Sequence, residues 1–305
     1  MIAQRTRIGL PFALLAAIIA VSTASIFIRF AQADAPSLVI AALRLTCAAL
    51  LLAPIALAHH REELKRLNHR EKLLAILSGL FLAVHFATWI SSLEYTTVAS
   101  SVVFVSTGPL WVALLSPMLL NERLEQAAMA GLFIAMLGGT IIALSDVCVW
   151  HAGFHCSALG QGIQGRAIWG NFLAIMGAWA ISGYLIIGRK LRARMSLIPY
   201  IFLVYGIAAI VLILVMFSVD ETPLGYPLQT YGWIFLLAAF PQLIGHSTFN
   251  WLLKYLSATM VAVTTLAEPI GSSLLAFILL KETPTLAVLL GGALILLGIY
   301  LTSIQ

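Results

Sequence analysis

Long apolar stretches follow one another along almost the whole chain, separated by short polar links. Ten such stretches occur, over residues 9–31, 37–58, 72–93, 97–120, 125–146, 167–188, 196–218, 230–252, 257–280 and 284–304. A helix that crosses the hydrocarbon core of a bilayer needs roughly 20 apolar residues, which is about the length of each stretch. Apolar and polar positions do not alternate within the stretches, so they do not resemble the strands of a transmembrane β-barrel. The pattern predicts an all-α membrane protein with ten transmembrane helices, numbered here TM1 to TM10.

The same pattern occurs twice, at a constant offset of 160 residues. The residues that match at this offset include Phe12 and Phe172, Ser22 and Ser182, Arg29 and Arg189, Tyr95 and Tyr255, Pro109 and Pro269, Glu122 and Glu282, Gly131 and Gly291, and Gly138 and Gly298. Each copy contains five spans, an odd number, so the second copy must enter the membrane from the opposite face. Two inverted copies can expose a central site first to one side and then to the other. We therefore predict a first repeat over 1–150, an external loop over 151–166 and a second repeat over 167–305.

The composition agrees with a membrane protein, and the distribution of charge predicts its orientation. Only 10% of the residues are charged and 61% are hydrophobic, whereas soluble proteins are closer to a quarter charged. If the N-terminus is cytoplasmic, the inner side holds thirteen of the seventeen basic residues, namely Arg5, Arg7, Arg61, Lys65, Arg66, Arg70, Lys72, Arg123, Arg189, Lys190, Arg192, Arg194 and Lys254. This asymmetry sets topology and does not indicate a nucleic-acid partner. We expect a bacterial inner (plasma) membrane protein with both termini in the cytoplasm.

The N-terminal stretch has a second interpretation as a cleaved signal peptide. Arg5 and Arg7 precede an apolar run that ends near Ala31-Gln32-Ala33, an arrangement found in such peptides. The run is longer than usual for a signal peptide and takes part in the repeat. We expect it to be retained as TM1.

The three cysteines lie in two different environments, an apolar stretch and an external loop. Cys47 lies inside an apolar stretch, where it is expected to pack inertly. Cys148 and Cys156 lie in the longest external loop, and an oxidising exterior favours a disulfide between them. Two free thiols, or an incidental metal site with His151 and His155, are the alternatives.

Several short motifs occur in a fixed order and are partly repeated in the second half. They are Ala35-Pro36, Arg44-Leu45, Leu93-Glu94-Tyr95-Thr96-Thr97-Val98-Ala99, Pro109 and Asn121-Glu122-Arg123, with Tyr255, Glu268-Pro269 and Lys281-Glu282-Thr283 in the second half. In their order and doubled spacing, these motifs resemble the EamA domain of the drug/metabolite transporter superfamily. The resemblance implies a ten-helix basket whose central cavity is lined mainly by TM1, TM3, TM4, TM6, TM8 and TM9. It also implies export of amino acids and other small metabolites, or solute exchange, without a cofactor. The loop over 147–166 is longer than the resemblance leads one to expect.

Two charges within the membrane break the symmetry of the repeat and are candidates for function. Arg44 corresponds to Val204, and Glu268 corresponds to Gly108. A carboxylate near mid-bilayer costs several kcal/mol unless it is protonated, paired or hydrated. Glu268 is therefore a candidate substrate contact or proton site, with His85 as the other proton candidate; a buried structural carboxyl is the alternative. For Arg44 we favour a structural role, by snorkelling to the interface or by capping carbonyl groups.

Polar and aromatic side chains on the spans expected to line the cavity complete the candidate set. The substrate-binding candidates are Ser22, His85, Trp89, Ser100, Phe104, Thr107, Trp111, Trp179, Gln242, His246, Asn250, Thr264 and Glu268. For any one histidine or tryptophan, an interhelical hydrogen bond or simple packing is the alternative. Architectural roles are expected for the prolines that kink TM4 and TM9, for glycines spaced by seven that place small residues on one face of their helix, and for acids in the first turns of TM5 and TM10; these residues are Pro109, Pro269, Gly131, Gly138, Gly291, Gly298, Glu122 and Glu282.

These features favour a secondary transporter over two other classes of membrane protein. The chain has no phosphate-binding loop motif and no His-Glu-x-x-His motif, so neither nucleotide-driven transport nor zinc proteolysis is indicated. An aspartyl protease needs two membrane carboxylates, and only Glu268 qualifies. An intramembrane enzyme and a receptor without flux remain the alternatives. We expect a small-molecule substrate such as an amino acid, a lipid bilayer, no metal, and a monomer or homodimer.

Overall fold

A computed structural model describes residues 2–96, 101, 104–122, 125–145, 148–150, 154–156, 165–268, 270–271, 274–275, 278 and 286–304. The described residues are mostly helical. The helices are α1 (Ile2–Ser22), α2 (Ala24–Ala31), α3 (Ser37–His59), α4 (Arg61–Lys65), α5 (His69–Tyr95), α6 (Gly108–Leu119), α7 (Gln126–Ser145), α8 (Gly165–Arg192), α9 (Leu197–Ser218), α10 (Leu228–Leu237), α11 (Ser247–Leu252), α12 (Ala258–Thr265) and α13 (Leu286–Ser303). A π-helical segment, Ala238–His246, joins α10 to α11.

Every predicted span contains helix, but not all of the spans are single uninterrupted helices. Within the described residues, six segments are long and apolar enough to cross a membrane: Gly9–Ala31, Ser37–His59, His69–Tyr95, Ile168–Arg192, Leu197–Ser218 and Leu286–Ser303. The others are shorter because a turn or the π-helical segment interrupts them, or because part of the span lies outside the described residues. The chain is thus a helical protein rich in membrane-spanning segments.

TM4 and TM9 are interrupted at equivalent positions. Turns occur at 106–107 and again at 266–267, which are 160 residues apart. The hydrogen bonds of the two turns also match, since Thr107 N–H donates to the Phe104 carbonyl at 3.2 Å and Ala267 N–H donates to the Thr264 carbonyl at 3.1 Å. Pro109 lies in the first turn of the helix that follows, which begins at Gly108, and this position suits a residue that lacks a backbone donor. Pro269, predicted to kink TM9, lies outside the described residues.

The chain forms two compact units that do not follow the division into repeats. The first unit contains residues 1–83 and 184–257, and the second contains residues 84–183 and 258–305. Each unit therefore takes part of its helices from each repeat. Helices α5 and α8 are long enough to contribute residues to both units.

In the first unit, α3 and α9 pack against each other, and these helices are equivalent in the two repeats. They bury the same face. Eight pairs of buried residues correspond at the offset of 160, namely Val39 and Pro199, Ile40 and Tyr200, Ala41 and Ile201, Arg44 and Val204, Leu45 and Tyr205, Ala48 and Ala208, Leu52 and Leu212, and Ala56 and Met216. The repeat in the sequence thus specifies a repeated packing surface.

In the second unit, the equivalent helices α7 and α13 approach most closely at their glycines. A Cβ added at Gly131 would lie 2.5 Å from the Gly298 carbonyl oxygen, and one added at Gly138 would lie 2.4 Å from the Gly291 carbonyl oxygen. Contacts of this kind are reciprocal, because Gly131 is equivalent to Gly291 and Gly138 to Gly298, as at a two-fold interface. The pairing also runs in opposite directions along the two helices, so α7 and α13 are antiparallel.

A short antiparallel ribbon follows α7. Its strands are β1 (Cys148–Trp150) and β2 (Phe154–Cys156), and Cys148 is the register partner of Cys156. Directly opposed residues in such a ribbon have Cα atoms about 4.5–5.5 Å apart, a separation that disulfides commonly span. The predicted disulfide stays a prediction that this register supports.

We expect alkylation of the unreduced, unfolded protein to modify only Cys47, and alkylation after reduction to modify all three cysteines. Mass spectrometry of protein produced with an oxidising exterior would measure this. Modification of three cysteines before reduction would contradict the disulfide.

Candidate functional site

Part of the candidate set lies in the first unit, around the π-helical segment Ala238–His246. Pro241 lies inside this segment. Because proline has no N–H and its ring clashes with the preceding turn, it disturbs the ordinary α-helical hydrogen bonds. The wider π turn accommodates this disturbance, and such turns occur often at functional sites. The equivalent stretch of the first repeat, within α5, remains α-helical and has Phe81 in place of Pro241.

The side chain of Arg44 is fully buried and donates from Nε to Gln242 Oε1 at 3.0 Å. Gln242 is also fully buried. Complete burial does not fit a guanidinium that snorkels to the membrane interface, so that interpretation of Arg44 is replaced by a bond between α3 and the π segment. The structural role favoured for Arg44 stays a prediction.

Asn250 is the centre of a second set of hydrogen bonds in the first unit. Its Nδ2 donates to the hydroxyls of Tyr184 and Tyr205 and, at 2.7 Å, to the carbonyl of His246. The Tyr205 hydroxyl lies 3.2 Å from Ser247 Oγ, and the carbonyl of Asn250 accepts from Arg192 Nε at 3.0 Å. Gln242 and Asn250 are therefore part of a buried polar network that ties α8, α9 and α11 to the π segment.

The predicted candidate set lacks Tyr184, Tyr205 and Arg192. The first two were detectable by the criterion applied to Arg44, since their equivalents at the offset of 160 are Ala24 and Leu45. A tyrosine on an apolar span, where the other repeat has an aliphatic residue, indicates that the position has polar surroundings in only one of the two repeats. Arg192 was counted only as part of the cytoplasmic charge.

The other two candidates in the first unit lie where α1 meets the π segment. Ser22 is buried, and its hydroxyl donates to the Ile18 carbonyl of its own helix at 2.7 Å. A Cβ added at Gly245 would lie 2.5 Å from Val21 Cγ1, so glycine permits the close contact between the two elements. The half-buried His246 follows Gly245 directly.

We expect the bond between Arg44 and Gln242 to appear in a double-mutant cycle of unfolding free energy. Gln242→Leu and Arg44→Met should each lower stability by about 2–3 kcal/mol, because each removes one partner of a buried charged hydrogen bond. The double variant should lose at least about 1 kcal/mol less than the sum. Thermal or chemical unfolding in detergent would measure all four proteins. Strictly additive losses would show that the two side chains do not depend on each other.

The second unit contains a stacked histidine–tryptophan pair that packs against a glycine. His85 Nδ1 lies 2.9 Å from the Gly177 carbonyl oxygen. Since a carbonyl only accepts, Nδ1 must carry the proton, and Nε2 is the nitrogen that gains or loses a proton. The His85 ring stacks on Trp89, with centroids 5.7 Å apart. Gly177 allows this approach, because a Cβ at that position would lie 3.3 Å from the Trp89 side chain.

Trp89 also has a buried indole N–H with no acceptor among the described residues. Buried donors in native proteins nearly always have a partner, and each exception asks for an explanation such as water or a ligand. The Trp89 N–H is thus a donor that a bound molecule could satisfy.

Two further tryptophans meet edge to face in the second unit. The rings of Trp111 and Trp179 lie 5.4 Å apart at 87°. Trp111 Nε1 donates to Thr107 Oγ1 at 3.3 Å, and Thr107 Oγ1 donates to the Phe104 carbonyl at the interruption of TM4. Trp179 is 44% exposed within the chain, so its ring offers an aromatic surface for lipid or substrate.

The remaining candidates lie along TM9. Thr264 is buried, and its hydroxyl donates to the Met260 carbonyl of its own helix at 2.8 Å. Glu268 is partly exposed and directly follows the turn at 266–267. The backbone stays hydrogen-bonded beyond this turn, since the N–H groups of Ile270 and Gly271 both donate to the Ala267 carbonyl at 3.1 Å. Ser100 lies outside the described residues.

Glu122 acts differently from the role predicted for it. We expected it in the first turn of TM5, where it would complement the dipole of that helix. The helix α7 instead begins at Gln126, and Glu122 Oε2 accepts from the N–H of Ala258 at 3.1 Å. The carboxylate therefore caps α12, because the first N–H groups of a helix need external acceptors.

The apolar spans and the doubled turns together define a helical membrane protein built from two repeats. The sequence profile of the EamA-like transporter family matches residues 7–144 and matches again over 168–304. The chain belongs to this family, which is part of the drug/metabolite transporter superfamily.

Individual relatives agree with this assignment. An uncharacterized transporter from Archaeoglobus fulgidus is 22% identical over 228 residues, which are 74% of this chain and 73% of the relative. A second uncharacterized transporter from the same organism is 28% identical over 200 residues, or 65% of each chain. A solved crystal structure of a protein shares the fold with a TM-score of 0.76 and 20% identity, covering 97% of each chain.

Proposed function

We propose that the protein is a secondary transporter that moves a small metabolite, such as an amino acid, by alternating access. The observation that carries this proposal is the reciprocal contact of α7 and α13. Equivalent helices that pair antiparallel about a two-fold axis are what an inverted repeat in a membrane requires. The matching burial of α3 and α9 supports the same relation.

The proposed architecture is ten spans, with the first repeat over 1–150, the external loop over 151–166 and the second repeat over 167–305. It is supported by helices at every predicted span and by a family match that stops at residue 144 and resumes at 168. The distribution of basic residues supports cytoplasmic termini in a bacterial inner membrane.

The matching interruptions of TM4 and TM9 support a substrate site near the middle of the membrane. Broken helices leave backbone donors and acceptors available at mid-bilayer, and transporters use these groups to bind substrates and ions. Glu268 lies directly after one interruption, and Thr107 lies within the other. We propose Glu268 and His85 as proton sites, because both can change protonation state.

The proposed substrate class follows from the chemistry of the candidate side chains in the second unit. A zwitterionic amino acid offers a carboxylate, which the indole N–H of Trp89 could donate to, and an ammonium group, which Glu268 could bind. The aromatic surface of Trp111 and Trp179 suits an apolar side chain. Export as the direction of transport rests on the family resemblance. We propose no enzymatic activity and no cofactor.

Flux through liposomes tests this function directly. Purified protein would be reconstituted and supplied with labelled amino acids, nucleosides and polyamines, with and without a pH gradient; liposomes without protein are the control. We expect saturable flux of amino acids that an excess of unlabelled substrate inhibits. Chemical conversion of a substrate without flux would favour an intramembrane enzyme. The absence of flux for every class would favour a receptor.

A further inference from the structure

A surface of exposed basic side chains occupies one end of the first unit. It is formed by the link between α3 and α5 and by the end of α8 with the link to α9. We call it the basic surface and define it as Arg61, Arg66, Arg70, Lys72, Lys190 and Arg194, all of which are exposed. The two links are tied together, because Glu63 Oε1 accepts from the Ser196 N–H at 2.7 Å. The two links that carry the basic side chains are therefore in direct contact with each other.

The acidic residues of the same region are engaged with groups of the chain itself. Glu62 pairs with Lys65 at 2.9 Å, and Glu63 lies 3.6 Å from His60 in addition to its bond with Ser196. Glu71 accepts from the N–H of Asn68 at the start of α5. Among the described residues, no ion pair joins any member of the basic surface to a carboxylate. Its cationic groups are thus available to an external anion.

The basic surface borders directly on apolar side chains that are also exposed. Leu57 is 54% exposed and lies near the end of α3, four residues before Arg61; Leu73 is 56% exposed and follows Lys72. Exposed leucines on a membrane-spanning helix face acyl chains. Basic groups at the end of such an apolar band lie at the depth of lipid phosphates. Basic groups next to exposed leucines match a phospholipid, which has a phosphate headgroup next to its acyl chains.

We propose that the basic surface is a binding site for the headgroups of anionic phospholipids. A soluble acidic partner would need no apolar border, and free phosphate would not use it. The proposal does not depend on which solute the protein carries, since it concerns the link regions alone. Each basic group near a negatively charged lipid surface contributes attraction worth about fivefold in affinity.

The test is a lipid titration of the full-length protein, delipidated in a neutral detergent. Phosphatidylglycerol and phosphatidylcholine would be added separately, and bound lipid would be counted by native mass spectrometry. The test variant is Arg61→Gln with Arg70→Gln. The matched control is Arg29→Gln with Arg166→Gln, which removes two exposed basic groups outside the basic surface. A third variant, Arg61→Lys with Arg70→Lys, keeps the charge.

We expect the test variant to bind phosphatidylglycerol about 25-fold more weakly than the wild type, from two charges at about fivefold each. The control and the lysine variant should stay within about threefold of the wild type. The melting temperature without lipid should be the same for all variants, because these side chains are exposed. Equal losses in test and control variants, equal binding of both lipids, or displacement of the lipid by millimolar inorganic phosphate would each overturn the proposal.

Discussion

Replacing Glu268 by glutamine is expected to lower transport driven by a pH gradient by about tenfold or more and to leave the remaining flux independent of the gradient. Glutamine keeps the size and hydrogen-bonding capacity of the carboxyl group but cannot take up or release a proton. A carboxyl group in a membrane-spanning segment costs several kcal/mol when charged, which favours a role in proton or substrate binding. The rate of uptake into liposomes at a fixed pH gradient measures the effect.

The structural alternative for Glu268 gives a different result. If the carboxyl group only completes the hydrogen bonds of the turn at 266–267, glutamine should support transport with the same pH dependence. Glu125→Gln is the matched control, because Glu125 is an exposed acid just before α7. That variant should transport as the wild type does. Normal flux and normal pH dependence in Glu268→Gln would remove the proton-site proposal for this residue.

Replacing Gly138 by alanine is expected to lower the free energy of unfolding by about 2 kcal/mol or more. The added Cβ would lie 2.4 Å from the Gly291 carbonyl oxygen and 2.9 Å from the Ile295 nitrogen. Both are backbone atoms, so α7 and α13 must separate to accept the methyl group. Separation loses the packing of the two helices along their length, and packing supplies much of the association energy of helices in a membrane.

The neighbouring glycine provides a control within the same helix. A Cβ at Gly139 would meet nothing within 4 Å. Gly139→Ala should therefore be neutral or raise stability by up to about 1 kcal/mol, because alanine loses less conformational entropy on helix formation. Melting curves in one detergent compare the two variants. Equal stability of Gly138→Ala and Gly139→Ala would show that the helices do not approach as closely as described.

The spans were predictable from the sequence because the ability of a helix to cross a bilayer depends on its length and hydrophobicity. The repeat was predictable because equivalent residues, such as Gly138 and Gly298, make equivalent contacts in the two copies. The contact itself was predicted only as a general tendency of glycines to permit close packing. The structure shows which glycines meet, namely Gly131 with Gly298 and Gly138 with Gly291.

Other features depended on tertiary structure that no local pattern encodes. The partner of Arg44 is Gln242, which is 198 residues away in the sequence. Glu122 caps a helix that begins 136 residues later, although its position suggested a role in the helix that follows it. The π-helical segment around Pro241 was not predicted, because proline alone does not distinguish a kink from a π turn.

The candidate site was only partly predictable for a related reason. Stripes of polar residues on a helix indicate a polar environment, but not whether that environment is protein or substrate. Gln242 and Asn250 came from one stripe and proved to be buried in a network with Tyr205 and Tyr184. Trp89 has an N–H without an acceptor among the described residues, which is the feature that a substrate could use.

Alternating access in this protein requires the two repeats to lie in opposite orientations in the membrane. His69 and Gln229 are equivalent at the offset of 160 and both are exposed. Single-cysteine proteins carrying His69→Cys or Gln229→Cys, with the three native cysteines replaced by serine, would be treated in intact cells with a membrane-impermeant maleimide. Opposite orientations predict labelling of the Gln229→Cys protein alone in intact cells, and labelling of both proteins after permeabilisation. Labelling of both proteins in intact cells, or of both only after permeabilisation, would contradict this arrangement.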